Sequence, residues 1–426
     1  MLPPSPQAGS LPVEEPSVEE PSSSSARRPS HEARDGVSPR GIPVTVLLRA
    51  LLGLLMMVGL VAGLHGYLGL RLLVDPQVPR PWAALGWVAL VLLFASIPLG
   101  MMATRMQPSV WSRAVYGTGI LWLGVFGVLL PAVVASDVVV GVWRLVGSTP
   151  EALTLARGKA LAVVGVVGPA LAWAWLTARG KARVERLTVP VAGLGAGLSG
   201  MKVVQISDIH IGPTLDRHFM RRVVEQVNAL EPDVVAVTGD LVDGSVRQLR
   251  DEVAPLGGLR AKLGVYFVTG NHEYYSGGAA WAAEVARLGL TVLLNAHRVV
   301  EREGARLTVA GVTDHNGGAI DPAHACRPDL ALAGAPTGVP RLLLAHQPRT
   351  ARLARGLGVD LQLSGHTHGG QIFPFMFFVK LQQPVVSGLA TVAGVRVYTN
   401  RGTGYWGPPF RLGPTPEITE LTLVSA

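Results

Sequence analysis

The chain has 426 residues, of which 49% are hydrophobic and 15% are charged. A chain this apolar cannot be wholly disordered, and its length corresponds to about two to four domains. The single cysteine, Cys326, excludes both an intramolecular disulfide framework and a site built from several thiolates. The charged fraction lies below the ~25% of ordinary soluble proteins, so we expect a membrane segment.

The net charge of +8 is unevenly distributed along the chain. Residues 1–186 carry 16 Lys or Arg against 10 Asp or Glu, whereas residues 187–426 carry 21 against 19. The basic excess therefore surrounds the apolar stretches, as it does at the flanks of membrane helices. A nucleic-acid surface needs basic residues clustered on a folded face, so we expect no nucleic-acid partner.

Residues 1–41 are rich in Pro, Ser and Glu and include the near-repeat PVEEPSVEEPSSSS. They contain almost no large apolar side chains, so little burial would offset the entropy lost on ordering them. No apolar core of a cleavable signal peptide stands at the N-terminus. We therefore predict a disordered N-terminal tail over residues 1–41.

Four apolar stretches follow the tail, each close to the ~20 residues that cross ~30 Å of hydrocarbon. They run over about 44–70, 82–103, 115–142 and 160–178. We therefore predict a transmembrane region of about four helices within residues 42–180. A buried soluble bundle is the alternative, but its helices should carry polar faces. Because ionisable residues inside the stretches are few, we favour a membrane anchor over a transporter.

The basic residues that flank the four stretches favour one membrane orientation. Ten lie on the side that holds both termini: Arg27, Arg28, Arg34, Arg40, Arg105, Arg113, Arg179, Lys181, Arg183 and Arg186. Five lie on the other side: Arg71, Arg80, Arg144, Arg157 and Lys159. We therefore predict a multi-pass integral membrane protein whose C-terminal domain lies on the cytoplasmic side.

The pattern changes after residues 181–200, a stretch that contains VAGLGAGLSG and that we predict to be a linker. Short β-branched runs such as KVVQIS and DVVAVTG then alternate with amphipathic stretches such as RRVVEQVNAL. This alternation is typical of an α/β domain, which we place at residues 201–426.

Five of the predicted strands are followed by side chains able to bind metals. They are Asp208 and His210, then Asp240 and Asp243, then Asn271, His272 and Glu273, then His346, and finally His366 and His368. In open α/β sheets, ligands bind outside the carboxyl ends of the strands. We therefore expect these groups to converge, although they are widely separated along the chain.

Carboxylate, imidazole and amide donors without thiolates suit Mn²⁺, iron or Zn²⁺. The donors are too numerous for one ion. Two ions ~3.5–4 Å apart, bridged by a shared carboxylate, would use them all.

The order D-x-H, G-D-x-x-D, G-N-H-E, H and G-H-x-H resembles the signature of the calcineurin-like metallophosphoesterases. All five blocks occur in this order over about residues 200–370. The resemblance implies an α/β fold, a metallophosphatase-type β-sandwich flanked by helices. It also implies a metal-dependent phosphoesterase, a hydrolase that acts on ester bonds. The whole layout resembles transmembrane proteins that carry such a domain.

The resemblance also implies a role for each matching residue, with two divalent metal ions (Mn²⁺, Fe²⁺/Fe³⁺ or Zn²⁺) as cofactors. Asp208, His210 and His368 would bind one ion, Asn271, His346 and His366 the other, and Asp240 would bridge both. Asn271 and His272 would contact the phosphate. A hydroxide generated at the metals would attack phosphorus, and His272 would protonate the leaving oxygen. Asp243, Glu273 and Gln371 are expected to orient ligands or the phosphate.

The substrate is left open by these motifs, because monoester, diester and pyrophosphate cleavage use the same metals. The segment IFPFMFFVK (372–380) should not lie exposed in water. Burial beside the site is one interpretation, and a surface that faces the bilayer or a lipid tail is the other. A lipid-linked substrate, as in the UDP-2,3-diacylglucosamine hydrolases, is therefore an alternative. A membrane sensor or scaffold that binds without cleaving is another.

Overall fold

The computed structural model describes residues 44–103 and 109–426, so the predicted N-terminal tail lies outside the described residues. The chain divides into two units, Met1–Met56 and Met57–Ala426. The described part of the first unit is helical and forms the first part of α1, and the other elements discussed below lie in the second unit.

Four long helices in the described part of the chain precede the α/β domain: α1 (Val44–Gly69), α2 (Arg80–Ala103), α3 (Val110–Val146) and α4 (Ala152–Arg179). All four are long and apolar enough to cross a membrane. Helices α2, α3 and α4 extend beyond the predicted apolar stretches, because polar residues at their ends also adopt helical structure. At the start of α3, for example, the Ser109 side chain accepts a hydrogen bond from the Ser112 backbone N–H and caps the helix.

Several polar side chains within the helices contact one another. Asp137 Oδ1 lies 2.5 Å from Lys159 Nζ, and Asp137 Oδ2 lies 2.8 Å from Arg71 Nε. His65 Nε2 accepts a hydrogen bond of 2.9 Å from Trp122 Nε1. These contacts join residues of different helices, as expected for polar groups in an apolar environment.

The α/β domain, which lies entirely within the described residues, contains twelve strands and seven α-helices. The strands are β1 (Arg183–Val191), β2 (Met201–Ile206), β3 (Val234–Val237), β4 (Val265–Phe267), β5 (Thr291–Val292), β6 (Ala296–Arg302), β7 (Ala305–Gly311), β8 (Arg341–Leu344), β9 (Leu361–Ser364), β10 (Gly388–Val392), β11 (Val395–Thr399) and β12 (Glu417–Ser425). The helices are α5 (Arg217–Asn228), α6 (Val246–Val253), α7 (Asn271–Ser276), α8 (Gly278–Arg287), α9 (Gly317–Ile320), α10 (Pro328–Ala331) and α11 (Met376–Gln382).

The strands form two six-stranded sheets, in the orders β1-β12-β2-β3-β4-β5 and β10-β11-β9-β8-β7-β6. Neighbouring side chains along a strand point to opposite faces. Val203 therefore packs between the sheets, together with Leu342 and Leu363, whereas Val204 packs with Phe219 of α5. The predicted fold class, a β-sandwich flanked by helices and preceded by four candidate membrane helices, is confirmed.

The stretch predicted to be a linker is partly a β-strand in the structure. Residues Arg183–Val191 form β1, which pairs in parallel with β12 from Arg183 and Glu417 to Val191 and Ser425. Val189 and Val191 are buried. The local sequence does not indicate this strand, because its partner β12 lies at the far end of the domain. We therefore propose that the domain begins near Arg183, while the other predicted boundaries stay predictions.

Candidate metal centre

The predicted ligands follow the carboxyl ends of five strands in two sheets. Asp208 and His210 follow β2, Asp240 follows β3, Asn271 follows β4, His346 follows β8, and His366 and His368 follow β9. β2, β3 and β4 are neighbours in one sheet, and β8 and β9 are neighbours in the other. The structure therefore brings all seven side chains to one rim of the sandwich, as the strand-end argument predicted.

The loops of the rim adopt unusual backbone conformations. Five of the seven predicted ligands have positive φ angles, although none is glycine: Asp208, His210, Asp240, His366 and His368, with φ between 50° and 71°. Such conformations cost on the order of 1–3 kcal/mol each and cluster at functional sites. The close approach of the loops also requires glycine, because a Cβ on Gly270 would lie 2.2 Å from Asp240 Oδ1.

One group of possible metal ligands consists of Asp208, His210 and His368, all buried. His210 Nε2 lies 3.1 Å from His368 Nε2, and His368 Nε2 lies 3.4 Å from Asp208 Oδ1. One ligand atom from each residue falls within 4.8 Å of the others. These three side chains can therefore surround a single cation.

A second group consists of Asp240, His346 and His366. His346 Nε2 lies 3.1 Å from Asp240 Oδ2 and 3.2 Å from His366 Nδ1. Asn271 Oδ1 is buried and has no hydrogen-bond partner among the described residues. An unpaired buried acceptor is costly unless something binds it, so this oxygen fits a metal ligand.

Asp240 Oδ2 faces both groups, at 3.1 Å from His346 Nε2 and 3.8 Å from His210 Nε2. This position is the one that a bridging carboxylate would need. The donor set of the rim therefore fits two cations that share Asp240.

Charge is unevenly distributed over the rim. Burial and the neighbouring His346 lower the pKa of His366 to about 3, so its imidazole is neutral and able to bind metal. Burial also lowers the pKa of His368 well below its usual value, with the Arg411 charge adding to the effect. Burial alone would raise the pKa of Asp240. The neighbouring His346 and His272 outweigh burial and lower this pKa well below its usual value.

His272 lies at the edge of the rim and is held by two carboxylates. Its Nδ1 lies 2.6 Å from Asp243 Oδ1, and its backbone N–H donates to Asp240 Oδ1 over 2.9 Å. Burial alone would lower the pKa of His272, but the charge of Asp240 and the hydrogen bond with Asp243 raise it to about 9. His272 also falls within 4.8 Å of ligand atoms of His210 and Asp240, so it is within reach of a metal.

Glu273 joins two of the ligand loops, as expected of an orienting residue. Its carboxylate accepts backbone N–H bonds from Asp240 at 2.9 Å, Leu241 at 2.7 Å and Gly270 at 2.6 Å. The side-chain amide of Gln371 bonds the backbone of Trp406 and no predicted ligand, although Gln371 lines the cavity at the rim.

Arg411 was missed by the sequence reasoning, because it lies well beyond the last motif in the chain. Its fully buried guanidinium donates to the carbonyl oxygens of His368 at 2.8 Å and Arg401 at 2.6 Å, and also to that of Gly404. Burial lowers its pKa to about 9. Nothing in the sequence indicates that Arg411 is buried beside the loop of the last motif.

The fold and the donor set define a metal-binding α/β domain, and the comparisons name its class. Residues 201–370 match the family model for calcineurin-like phosphoesterases. The chain is 41% identical over 299 residues to a Bos taurus protein named transmembrane protein with metallophosphoesterase domain, covering 66% of each chain. The Danio rerio protein of the same name is 40% identical over 252 residues, or 57% of this chain and 58% of the relative.

An uncharacterized metallophosphoesterase of Aquifex aeolicus is 32% identical over 243 residues, which cover 57% of this chain and 91% of the relative. The chain belongs to the calcineurin-like metallophosphoesterase family, as its motifs predicted. It matches just under two thirds of the length of the Bos taurus relative and 58% of the Danio rerio one.

Proposed function

We propose that this protein is a membrane-anchored, metal-dependent phosphoesterase that holds two divalent cations. One observation carries the proposal: Asp240 Oδ2 faces both ligand groups, and His272, whose Nδ1 lies 2.6 Å from Asp243 Oδ1, stands beside them. Membrane anchoring is supported by the four long apolar helices and by the names of the relatives.

Seven side chains would hold the two cations. Asp208, His210 and His368 would bind one, Asn271, His346 and His366 would bind the other, and Asp240 would bind both. Mn²⁺, iron and Zn²⁺ suit these donors. The cations would neutralise the oxygens of a bound phosphate ester and lower the pKa of an attacking water toward ~7.

His272 is the residue we propose as general acid. Its Nδ1 is engaged by Asp243, so Nε2 would carry the proton to the leaving oxygen, a step worth typically ~10²–10⁴-fold. Asp243 also contacts His210 Nδ1 at 3.0 Å, so one carboxylate orients both the acid and a ligand. Asn271 and His272 would contact the phosphate, since both line the cavity at the rim.

The test is Asp240→Asn in the full chain, measured by metal content and by hydrolysis of 4-nitrophenyl phosphate and bis(4-nitrophenyl) phosphate with Mn²⁺. We expect loss of metal and a fall of at least ~10³-fold in turnover, because both ions lose a ligand. Asp329→Asn, an exposed aspartate paired with Arg327, is the matched control and should change neither.

Two metals and full turnover in Asp240→Asn would contradict the proposal. If the unchanged protein binds two metals but cleaves no ester in a broad panel, a non-catalytic membrane sensor or scaffold is the better description.

We further propose a multi-pass arrangement with the catalytic domain on the cytoplasmic side. The support is the excess of Lys and Arg on the side of that domain. A C-terminal reporter that is active only in the cytoplasm should be active, and an active periplasmic or external reporter would reverse the orientation. The near-balanced charge of residues 187–426 supports a function without nucleic acid.

A second candidate substrate is a lipid-linked pyrophosphate of the UDP-2,3-diacylglucosamine type. The observation that favours it is the exposure of Phe373, Phe375, Phe377 and Phe378 beside the rim. Including a lipid-linked pyrophosphate in the ester panel separates this candidate from water-soluble esters.

A further inference from the structure

A cavity of about 750 Å³ extends from the metal rim to a membrane helix. Its polar end is formed by His210, Asp240, Asn271, His272, His366 and His368. Its volume falls within the range of ~300–1,000 Å³ that is common for small-molecule sites. The feature that the family motifs do not explain is the remaining wall, which is largely apolar.

The apolar wall comes from two elements. Helix α3 contributes Leu123, Phe126, Gly127, Leu130 and Pro131, and the α11 region contributes Phe375, Phe378 and Val379. The two elements are close, because a Cβ on Gly127 would lie 3.3 Å from the Phe375 ring. The cavity therefore has phosphate chemistry at one end and a hydrocarbon-like surface along the rest.

The length of α3 leaves room for contact with both a bilayer and the α/β domain. Its 37 residues span about 55 Å, which exceeds the ~30 Å of hydrocarbon by roughly 17 residues. Trp143 and Arg144 lie near its C-terminal end, as is typical of a membrane interface. Gly124 packs against Phe410 and Pro408 of the α/β domain, so this part of α3 lies against that domain. Residues 123–131 therefore join the α/β domain to the part of the helix that would lie in hydrocarbon.

The aromatic side chains near α11 are exposed instead of buried, so the burial interpretation of IFPFMFFVK fails for its aromatic residues. Phe373, Phe375, Phe377 and Phe378 are 44–63% exposed, and Leu381 is 86% exposed. Ile372 is buried and shares a hydrophobic cluster with Val128 of α3 and Phe410. An apolar patch that continues a membrane helix suits contact with lipid better than contact with water.

We propose that this cavity binds a phosphate ester that carries a long alkyl or acyl chain, with the phosphate at the metal rim and the chain between α3 and α11. The chain enters sideways from the bilayer, past the exposed phenylalanines. The placement of the phosphate rests on the proposed function, whereas the apolar surface for the chain does not depend on it.

The first test uses alkyl 4-nitrophenyl phosphates with methyl, butyl and dodecyl groups, assayed on the full chain in mixed micelles with Mn²⁺. The leaving group is the same throughout, so the chemistry is constant and only the chain varies. We expect kcat/KM to rise at least tenfold from methyl to dodecyl, mainly through KM. A flat dependence on chain length would overturn the inference.

Matched variants separate binding in the cavity from simple partition into micelles. Gly127→Leu places a side chain in the cavity, whereas a Cβ on Gly141 of the same helix meets nothing within 4 Å. We expect Gly127→Leu to lower the dodecyl-to-methyl ratio of kcat/KM at least tenfold, and Gly141→Leu to leave it unchanged. Phe378→Ala and Phe377→Ala form a second pair, since only Phe378 lines the cavity. Equal ratios within both pairs would overturn the inference.

The second test does not depend on turnover. A dodecylphosphonate with a diazirine at the end of its chain should label peptides that contain residues 123–131 or 375–382. Excess dodecylphosphonate should compete, and Gly127→Leu should lose the label. Uniform labelling of all four helices without competition would overturn the inference. Specific labelling without hydrolysis of any ester would refute the proposed function alone. Methyl-ester turnover without specific labelling or chain preference would refute this inference alone.

Discussion

At the scale of the residue, His272 differs from His366, another histidine of the rim. Its pKa is raised to about 9, whereas the pKa of His366 is lowered to about 3. The difference follows from the partners, because His272 contacts Asp243 and lies near Asp240, whereas His366 adjoins His346. The same side chain is thereby suited to donate a proton in one position and to bind a metal in the other.

We expect His272→Ala to slow hydrolysis of alkyl phosphates by ~10²–10⁴-fold, because an alkoxide leaves poorly without a proton. Esters of 4-nitrophenol should lose much less, since their leaving group is already stable. The measurement is kcat on both classes, with metal content as a check on the site. Exposed His218→Ala is the control. Unchanged turnover of alkyl esters in His272→Ala would refute the acid role.

Arg411 acts through the backbone, since its guanidinium joins the carbonyl of His368 to the carbonyls of Arg401 and Gly404 in the segment after β11. We expect Arg411→Met to cost about 3 kcal/mol of stability, because several buried carbonyls lose their donor. Metal affinity should fall ~10–100-fold through the misplaced His368. Exposed Arg355→Met is the control for thermal unfolding and for metal titration. If Arg411→Met changed neither the thermal unfolding nor the metal affinity, the loop would not depend on Arg411.

At the scale of the element, helices α2 and α3 approach closely because a small residue separates them. A Cβ on Gly119 of α3 would lie 2.2 Å from the Ser96 carbonyl oxygen of α2, and a backbone atom cannot move aside alone. Small residues at such contacts are a common way for membrane helices to pack. The position of the wall formed by α3 therefore depends partly on this contact.

We expect Gly119→Ala to destabilise the protein by roughly 1–3 kcal/mol, because the added methyl group forces the two helices apart. Gly117→Ala, two residues earlier, meets nothing within 4 Å and should be neutral or slightly stabilising. Heat unfolding of both variants in one detergent is the measurement. Equal midpoints would show that the helices tolerate separation at this contact.

At the scale of the whole molecule, the side chains of the rim come from two sheets and from distant parts of the sequence. The buried carboxylates Asp208 and Asp240 and the surrounding imidazoles are brought together by the packing of β2, β3, β4, β8 and β9. Cations that bind only the folded protein stabilise it by mass action. Folding and metal binding should therefore be linked.

We expect removal of metal with a chelator to lower the thermal midpoint of the α/β domain. Each site saturated at 100 times its Kd contributes about 2.7 kcal/mol. Adding Mn²⁺ or Zn²⁺ back should restore the midpoint, whereas Mg²⁺, which prefers oxygen ligands, should restore less. A thermal midpoint that changes neither with chelator nor with added metal would argue against occupied metal sites.

The sequence was sufficient to predict which side chains meet at the rim and insufficient to predict what surrounds them. Asp208, Asp240 and the others stand in short motifs directly after strands, so local patterns and the sheet-end rule place them together. The β1–β12 pairing and the wall from α3 join residues far apart, and no local pattern encodes them. Arg411 is recognisable only once its burial against His368 is known.

The short connection between α4 and β1 limits how far the rim can lie from the helices. Only Gly180, Lys181 and Ala182 separate the two elements, a reach of about 10 Å when extended. The backbone N–H of Arg411 also donates to the Ala174 carbonyl of α4 over 2.9 Å. If the four helices span a membrane, the rim therefore stays close to the bilayer surface. A substrate dissolved in the same bilayer would then reach the rim by diffusion in two dimensions, at a rate set by its surface density.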